Sequence, residues 1–160
     1  MECEALTKEG IEAKEKLNDP RVRAFLDTIA FAEGDTNYTT AFGSTLKSPK
    51  IIEDLAAHPN TATGGSSAAG RYQFKSDTWN EAKTKLGLTD FTPNSQDIAS
   101  VYKMKTRGVL NALFADNFPS AVESGSAEWA SLPFKDGKSR YAFKGASQPV
   151  KNIGAIAGSI

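Results

Sequence analysis

Glu33 is the residue whose placement best suits proton chemistry. It follows an apolar stripe at Val22, Phe25, Leu26, Ile29 and Ala30, the i, i+3, i+4, i+7, i+8 spacing of a helix with one buried face. It lies eleven residues beyond Val22, close to three turns, and so falls near that same face; Gly34 after it is a usual helix terminator. A carboxyl at the end of a buried helix meets the negative pole of the helix dipole, and partial burial penalises its charge. Both effects raise its pKa, the direction a general acid needs. Taken alone, the position is better read as a solvated helix-end glutamate, the common fate of Glu, so the rest of the chain has to decide.

Other groups offer less. Gly70-Arg71-Tyr72-Gln73 places an aromatic and an amide directly after a small-residue loop; read as a strand, it sends Tyr72 and Phe74 to one face and Gln73 to the other, toward a cleft. Gln96-Asp97 stands in the first turn of a helix, where capping accounts for Asp97 but less well for Gln96. Trp79 and Trp129 at helical spacing read as core, although sugar clefts also use aromatic platforms. His58, the single histidine, precedes Pro59 in a polar segment and reads as structural or exposed. Gly64-Gly65-Ser66-Ser67 lacks the lysine of a phosphate loop.

Composition narrows the classes. A chain of 160 residues, 39% apolar and 24% charged, is one domain's worth of globular protein. Nineteen basic and nineteen acidic residues cancel, which gives no electrostatic reason to expect nucleic acid or an anionic membrane as partner and suits an uncharged or zwitterionic ligand such as a glycan. With Cys3 as the one cysteine and one histidine, no internal disulfide and no Cys- or His-rich metal site is expected, and no cofactor. No run of about 18 apolar residues predicts a membrane span, and the charged start, Met1 to Lys16, has no signal-peptide core. The expectation is a monomer made in the cytoplasm.

The elements that must position Glu33 follow in order. Residues 4–17 read as a charged helix with few apolar anchors. Asp19 caps the next helix, with Pro20 in its first turn. From Gly34 to about Lys75 helical periodicity gives way to Gly, Ser, Thr and Asn; Tyr38–Phe42 and Arg71–Phe74 read as short strands and Lys50–Ala57 as a short helical piece. Helices return from a Ser76 cap to Leu86, from Pro93 to about Arg107, over Val109–Phe114, within Phe118–Leu132, and weakly over Val150–Ala157. The expected class is α+β: a mainly helical lobe, a small β-rich lobe, and the active-site cleft between them.

Several motifs together resemble the phage lambda endolysin family, often called lambda lysozyme. They are Arg23-Ala24-Phe25-Leu26-Asp27 with Glu33-Gly34, Phe42-Gly43, His58-Pro59, Ala69-Gly70-Arg71-Tyr72-Gln73, Leu86-Gly87-Leu88 with Asp90-Phe91, Ser95-Gln96-Asp97, Arg107-Gly108 and Trp129-Ala130-Ser131-Leu132-Pro133. The match runs over residues 21–145. The resemblance implies a lysozyme-like fold and peptidoglycan lytic transglycosylase chemistry, which cuts the β-1,4 bond between N-acetylmuramic acid and N-acetylglucosamine and leaves a 1,6-anhydro end. It puts Glu33 in the place of the family's single catalytic acid. Ser66, Tyr72, Gln73 and Gln96 are the candidate glycan-binding residues, with Tyr141 matching a family tyrosine near that acid, although Tyr-Ala-Phe here replaces the family's Tyr-Gly-Gln.

Two alternatives stand beside this reading. A muramidase on the same fold would use a second carboxylate; Asp27 lies about 240° round the helix from Glu33 and is poorly placed, whereas Asp35 is near in sequence. A catalytically inactive glycan-binding module is the third possibility. Residues 1–20 form an N-terminal charged extension to a catalytic domain at 21–160. With the small-residue tail after Gln148, this extension suggests a module of a larger phage-tail or effector protein, against a free endolysin with an added arm. The partner implied is the peptidoglycan glycan strand, reached in the periplasm or wall after holin-type release or injection.

Overall fold

The computed structural model describes residues 6–42, 44, 47, 49–59 and 67–133. Six helices follow one another: α1 (Lys8–Lys16), α2 (Pro20–Ala32), α3 (Ser76–Leu86), α4 (Pro93–Thr106), α5 (Val109–Phe114) and α6 (Phe118–Gly125). They fall into two compact units. One takes residues 1–17 and 36–102, the other residues 18–35 and 103–160.

In the second of these units, α2 begins as its sequence predicts. The Asp19 carboxylate accepts from Arg21 N at 2.8 Å, and Pro20 occupies the first turn, where its missing N–H leaves no bond unmade. The apolar face of α2 is fully covered: Val22, Phe25 and Ile29 have no exposed surface and Leu26 has 1%. Burying each such side chain contributes about 1.5–3 kcal/mol. Phe25 meets Phe118 of α6 edge-on at 6.3 Å, and Gly125 of α6 lies so close that a Cβ there would be 3.0 Å from Leu132 Cδ1 and 3.1 Å from Phe25 Cζ. α5 packs on both α2 and α6.

In the other unit α1 packs on α3. Thr7 caps α1 through its hydroxyl, which accepts from Gly10 N at 3.2 Å and donates to Lys85 O at 2.7 Å. Gly10 approaches the end of α3 closely enough that a Cβ would lie 2.5 Å from Leu86 O. A ring cluster fills the interior: Trp79 of α3 meets Phe91 at 4.6 Å and Phe74 at 5.3 Å, both edge-on. Both tryptophans, Trp79 and Trp129, are core residues, 1% and 3% exposed.

The β-rich lobe is not formed. Among the described residues there is no strand and no sheet, only isolated antiparallel bridges pairing Thr40 with Ile51, Ala41 with Ala69 and Ala69 with Phe74. The expected α+β class, with its small β-rich lobe, is therefore not seen among the described residues. The reason is local. Positive φ angles at Gly70 (84°) and Gln73 (52°) curl Arg71–Gln73 into a turn, so Phe74 folds back onto Ala69 and the pairing stops at single bridges. Polar side chains take up backbone groups that a ladder would use: Asn37 Oδ1 accepts from Thr39 N at 2.9 Å, and Ser44 Oγ from Lys50 N at 2.9 Å. Lys50–Ala57 is likewise not helical, and Ser76 opens α3 without capping it; instead Ser67 Oγ accepts from Ser76 N at 3.0 Å. Among the described residues no helix is long and apolar enough to cross a membrane. The tail helix expected at Val150–Ala157 lies outside the described residues.

His58 is buried, 8% exposed, with its ring 5.0 Å from that of Phe91 and stacked at 6.5 Å on Trp79. Its Nε2 lies 2.8 Å from Phe74 O, which makes Nε2–H the donor. Burial holds its pKa below the ordinary 6.5, opposed in part by that hydrogen bond. The unfolded chain therefore takes up the proton first. Stability is full above the unfolded value of about 6.5 and falls as pH drops from there through the lower folded value. Melting temperatures measured between about pH 7 and 5 should fall for this chain and fall less for His58→Gln; equal slopes would show that His58 takes no part.

Candidate active site

Glu33 caps the C-terminus of α2, with φ −79° and ψ 0°, and its N–H donates to Ile29 O at 2.9 Å. The chain leaves through Gly34 at φ 111°, a conformation that L side chains rarely adopt. This exit leaves the Glu33 side chain half-buried at the helix end. Ser131 Oγ donates to Glu33 Oε2 at 2.8 Å. Burial raises the pKa of the carboxyl, and the Ser131 hydroxyl partly offsets that rise by stabilising the anion. Among the described residues no carboxylate or cation pairs with it. Asp35 is exposed, at φ 56°. The arrangement is a lone carboxyl, among the described residues, whose burial favours its protonated form, with a neutral hydroxyl as its partner.

Ser131 is absent from the sequence-derived candidates. Its one signal there is a small polar residue set between the apolar Trp129 and Leu132 of the Trp129–Pro133 motif, and these two neighbours are indeed buried.

The structure brings Tyr72, Gln73 and Gln96 together within the unit that contains residues 36–102. Gln96 has no exposed surface, and its amide is fully engaged: Oε1 accepts from Arg71 N at 3.0 Å, while Nε2 donates to Phe91 O at 2.8 Å and to Tyr38 O at 3.1 Å. Its role is to hold the Gly70–Gln73 turn. Tyr72, 1% exposed, donates to Asp97 Oδ1 at 2.6 Å, and Tyr38 donates to the same carboxylate at 2.9 Å. Burial, with the adjacent Asp97 charge second, drives the Tyr72 phenol far above its ordinary pKa, so it stays a neutral donor. The Arg71 guanidinium lies over both rings, 5.5 Å from that of Tyr38 and 5.4 Å from that of Tyr72. Gln73 is half-buried, and its amide donates to Gly70 O at 2.8 Å. Ser66 and Tyr141 lie outside the described residues. Among the described residues no cluster of three or more His, Cys, Asp or Glu could hold a metal ion.

Comparison with known proteins gives this arrangement a context. A family model described as Endolysin matches residues 23–153. The endolysin of Escherichia phage lambda is 34% identical over 127 residues, covering 74% of this chain and 80% of that protein. The endolysin of Escherichia phage P2 is 31% identical over 130 residues, covering 70% and 79%. Among solved structures, bacteriophage lambda lysozyme complexed with a chitohexasaccharide superposes with a TM-score of 0.70 at 29% identity, over 87% of this chain and 90% of that one. A second lambda lysozyme structure gives 0.66 at 29% identity, over 82% and 96%. On the extent of the family match, and on two relatives above 30% identity over most of their length, the chain belongs to the endolysin family.

Proposed function

We propose that this cell-wall lytic enzyme is a peptidoglycan lytic transglycosylase with Glu33 as its single acid and base. The observation that carries the proposal is the environment of Glu33: a half-buried carboxyl with a raised pKa, hydrogen-bonded by one neutral hydroxyl, with no second carboxylate paired to it among the described residues. The glycan hexamer bound to a lambda lysozyme supports a glycan strand as substrate.

A lone carboxyl supports this chemistry. Hydrolysis with retention or inversion uses two carboxyl groups, one to protonate the leaving oxygen and one to attack or to activate water. Here protonated Glu33 gives its proton to the glycosidic oxygen as the C–O bond breaks. The C6 hydroxyl of the same muramic acid attacks the anomeric carbon, and the Glu33 carboxylate takes that hydroxyl's proton. Glu33 ends protonated, no water is consumed, and a 1,6-anhydro ring closes the cut end. On this reading the protein acts at the cell wall, reached by release or injection.

Mass spectrometry of purified peptidoglycan digested with the protein tests the proposal. Fragments ending in anhydromuramic acid, one water lighter than reducing ends, are expected. Reducing muramic ends would make it a muramidase, and binding to the wall without release of fragments would make it a binding module.

A further inference from the structure

We infer that Ser131 is a positioning residue for Glu33 and that an ion-pair clamp of Glu128 with Lys103 and Arg107 holds it there. The inference rests on the reading of Glu33 as acid and base. A hydroxyl is one of the few side-chain groups that both donates and accepts. When Glu33 is ionised, Ser131 O–H donates to it, as the 2.8 Å contact shows. When Glu33 is protonated, the same oxygen can accept from the carboxylic acid after a simple rotation. One neighbour thus serves both halves of the cycle without favouring the anion as strongly as a cation would.

The hydroxyl must stay on the carboxyl to do this, and its backbone is short of regular structure. Residues 126–133 follow α6 as turns, with Trp129 N donating to Gly125 O at 2.9 Å and Leu132 N to Trp129 O at 2.9 Å. Three residues before Ser131, Glu128 Oε1 accepts from Arg107 Nε at 3.0 Å and lies 3.4 Å from Lys103 Nζ. The side chains of Glu128 and Lys103 are only 11% and 12% exposed. Lys103 and Arg107 stand one turn apart at the end of α4, where cations also complement the helix dipole. The clamp therefore ties the turn to the end of α4; its Lys103 half is the one that solvent screens weakly, since Arg107 is 42% exposed.

Among the described residues no other charged side chain on these elements pairs with Glu33. On α2, Asp27 lies on another face, Arg23 is exposed, and Arg21 pairs with Asp19 and Asp116. Asp35 is exposed, α5 carries no ionisable side chain, and the one on α6, Glu123, is exposed. Removing the Ser131 hydroxyl withdraws the group that favours the anion, so Glu33 holds its proton to higher pH.

The test is the pH profile of peptidoglycan cleavage, with kcat and KM separated, in Ser131→Ala, Ser131→Thr, Glu128→Gln and the Ser131→Ala/Glu128→Gln double variant. Ser131→Ala should lower kcat roughly tenfold and move the alkaline limb up by roughly one pH unit with KM little changed, and Ser131→Thr should restore both. Glu128→Gln should shift the profile in the same direction, and the double variant should resemble Ser131→Ala alone. If Glu128→Gln melts early, Lys103→Met takes its place. A Ser131→Ala profile that superimposes on the parent overturns the inference, and additive effects in the double variant overturn the clamp. Glu33→Gln separates the two readings: if it is active the catalytic assignment fails, and if it is inactive while Ser131→Ala is unchanged only the present inference fails.

Discussion

Glu33→Gln should reduce cell-wall lysis by roughly 10²–10⁴-fold, the usual contribution of general acid–base catalysis, with no loss of folding stability. The amide has nearly the shape of the carboxyl and can still accept from Ser131 Oγ, but it has no acidic proton to give. Stability should be unchanged or higher at neutral pH. Burial raises the folded pKa of Glu33 above its ordinary 4.5, so the native state binds the proton more tightly than the unfolded one. The resulting stabilisation is present below the unfolded value and is lost as pH rises through the folded value. A neutral amide has no such loss. Turbidity clearing of cell walls together with a thermal melt reads both effects. Full clearing by the Gln variant would remove Glu33 from the chemistry, and a collapsed melt would show that its role is structural.

Gly70→Ala should cost about 2–5 kcal/mol of stability, combining the expense of a left-handed L-residue with overpacking. Gly70 has φ 84°, and a Cβ there would lie 2.8 Å from Phe91 Cζ and 2.9 Å from Gln96 Cδ. Phe91 and Gln96 have no exposed surface and neither can withdraw. The nearest atoms belong to the amide that holds Arg71 N, Tyr38 O and Phe91 O, so the added methyl displaces one side chain and breaks several hydrogen bonds at once. Urea denaturation gives the cost. A variant within about 0.5 kcal/mol of the parent, the range of ordinary surface substitutions, would mean that the turn adapts.

The helices were legible because their signals are local. The α2 stripe, Asp19-Pro20 at its start and Gly34 after its end are all readable from neighbours in sequence. The stretch between Gly34 and Lys75 was not, because β-forming residues such as Tyr38 and Tyr72 carry the same composition whether they pair in a ladder or point into a core. What decides is the backbone at Gln73, which takes φ 52° because Gln96, more than twenty positions away, holds the turn. Gln96 itself illustrates the same limit: a polar residue in a helical first turn reads as available to a ligand, and only its distant partners Tyr38 and Arg71, with nearby Phe91, show its amide engaged inside the protein. The proton chemistry expected of Glu33 needed just its helix end and burial. The Ser131 hydroxyl that tunes it comes from 98 positions along the chain, beyond any local pattern.

The unit containing Glu33 is built from two separated pieces of chain, 18–35 and 103–160, with the whole of 36–102 between them. During synthesis the apolar face of α2 emerges early, yet the residues that cover it, Phe118 and Gly125 of α6 among them, are made about a hundred positions later. Contacts closed over so long a loop form late and slowly. A ribosome-bound chain therefore carries Glu33 on a helix whose apolar side is still bare, and the carboxyl acquires its burial and its Ser131 partner only after the last helices arrive. If Glu33 is the proton donor proposed above, its environment is complete only once both pieces of this unit have been made.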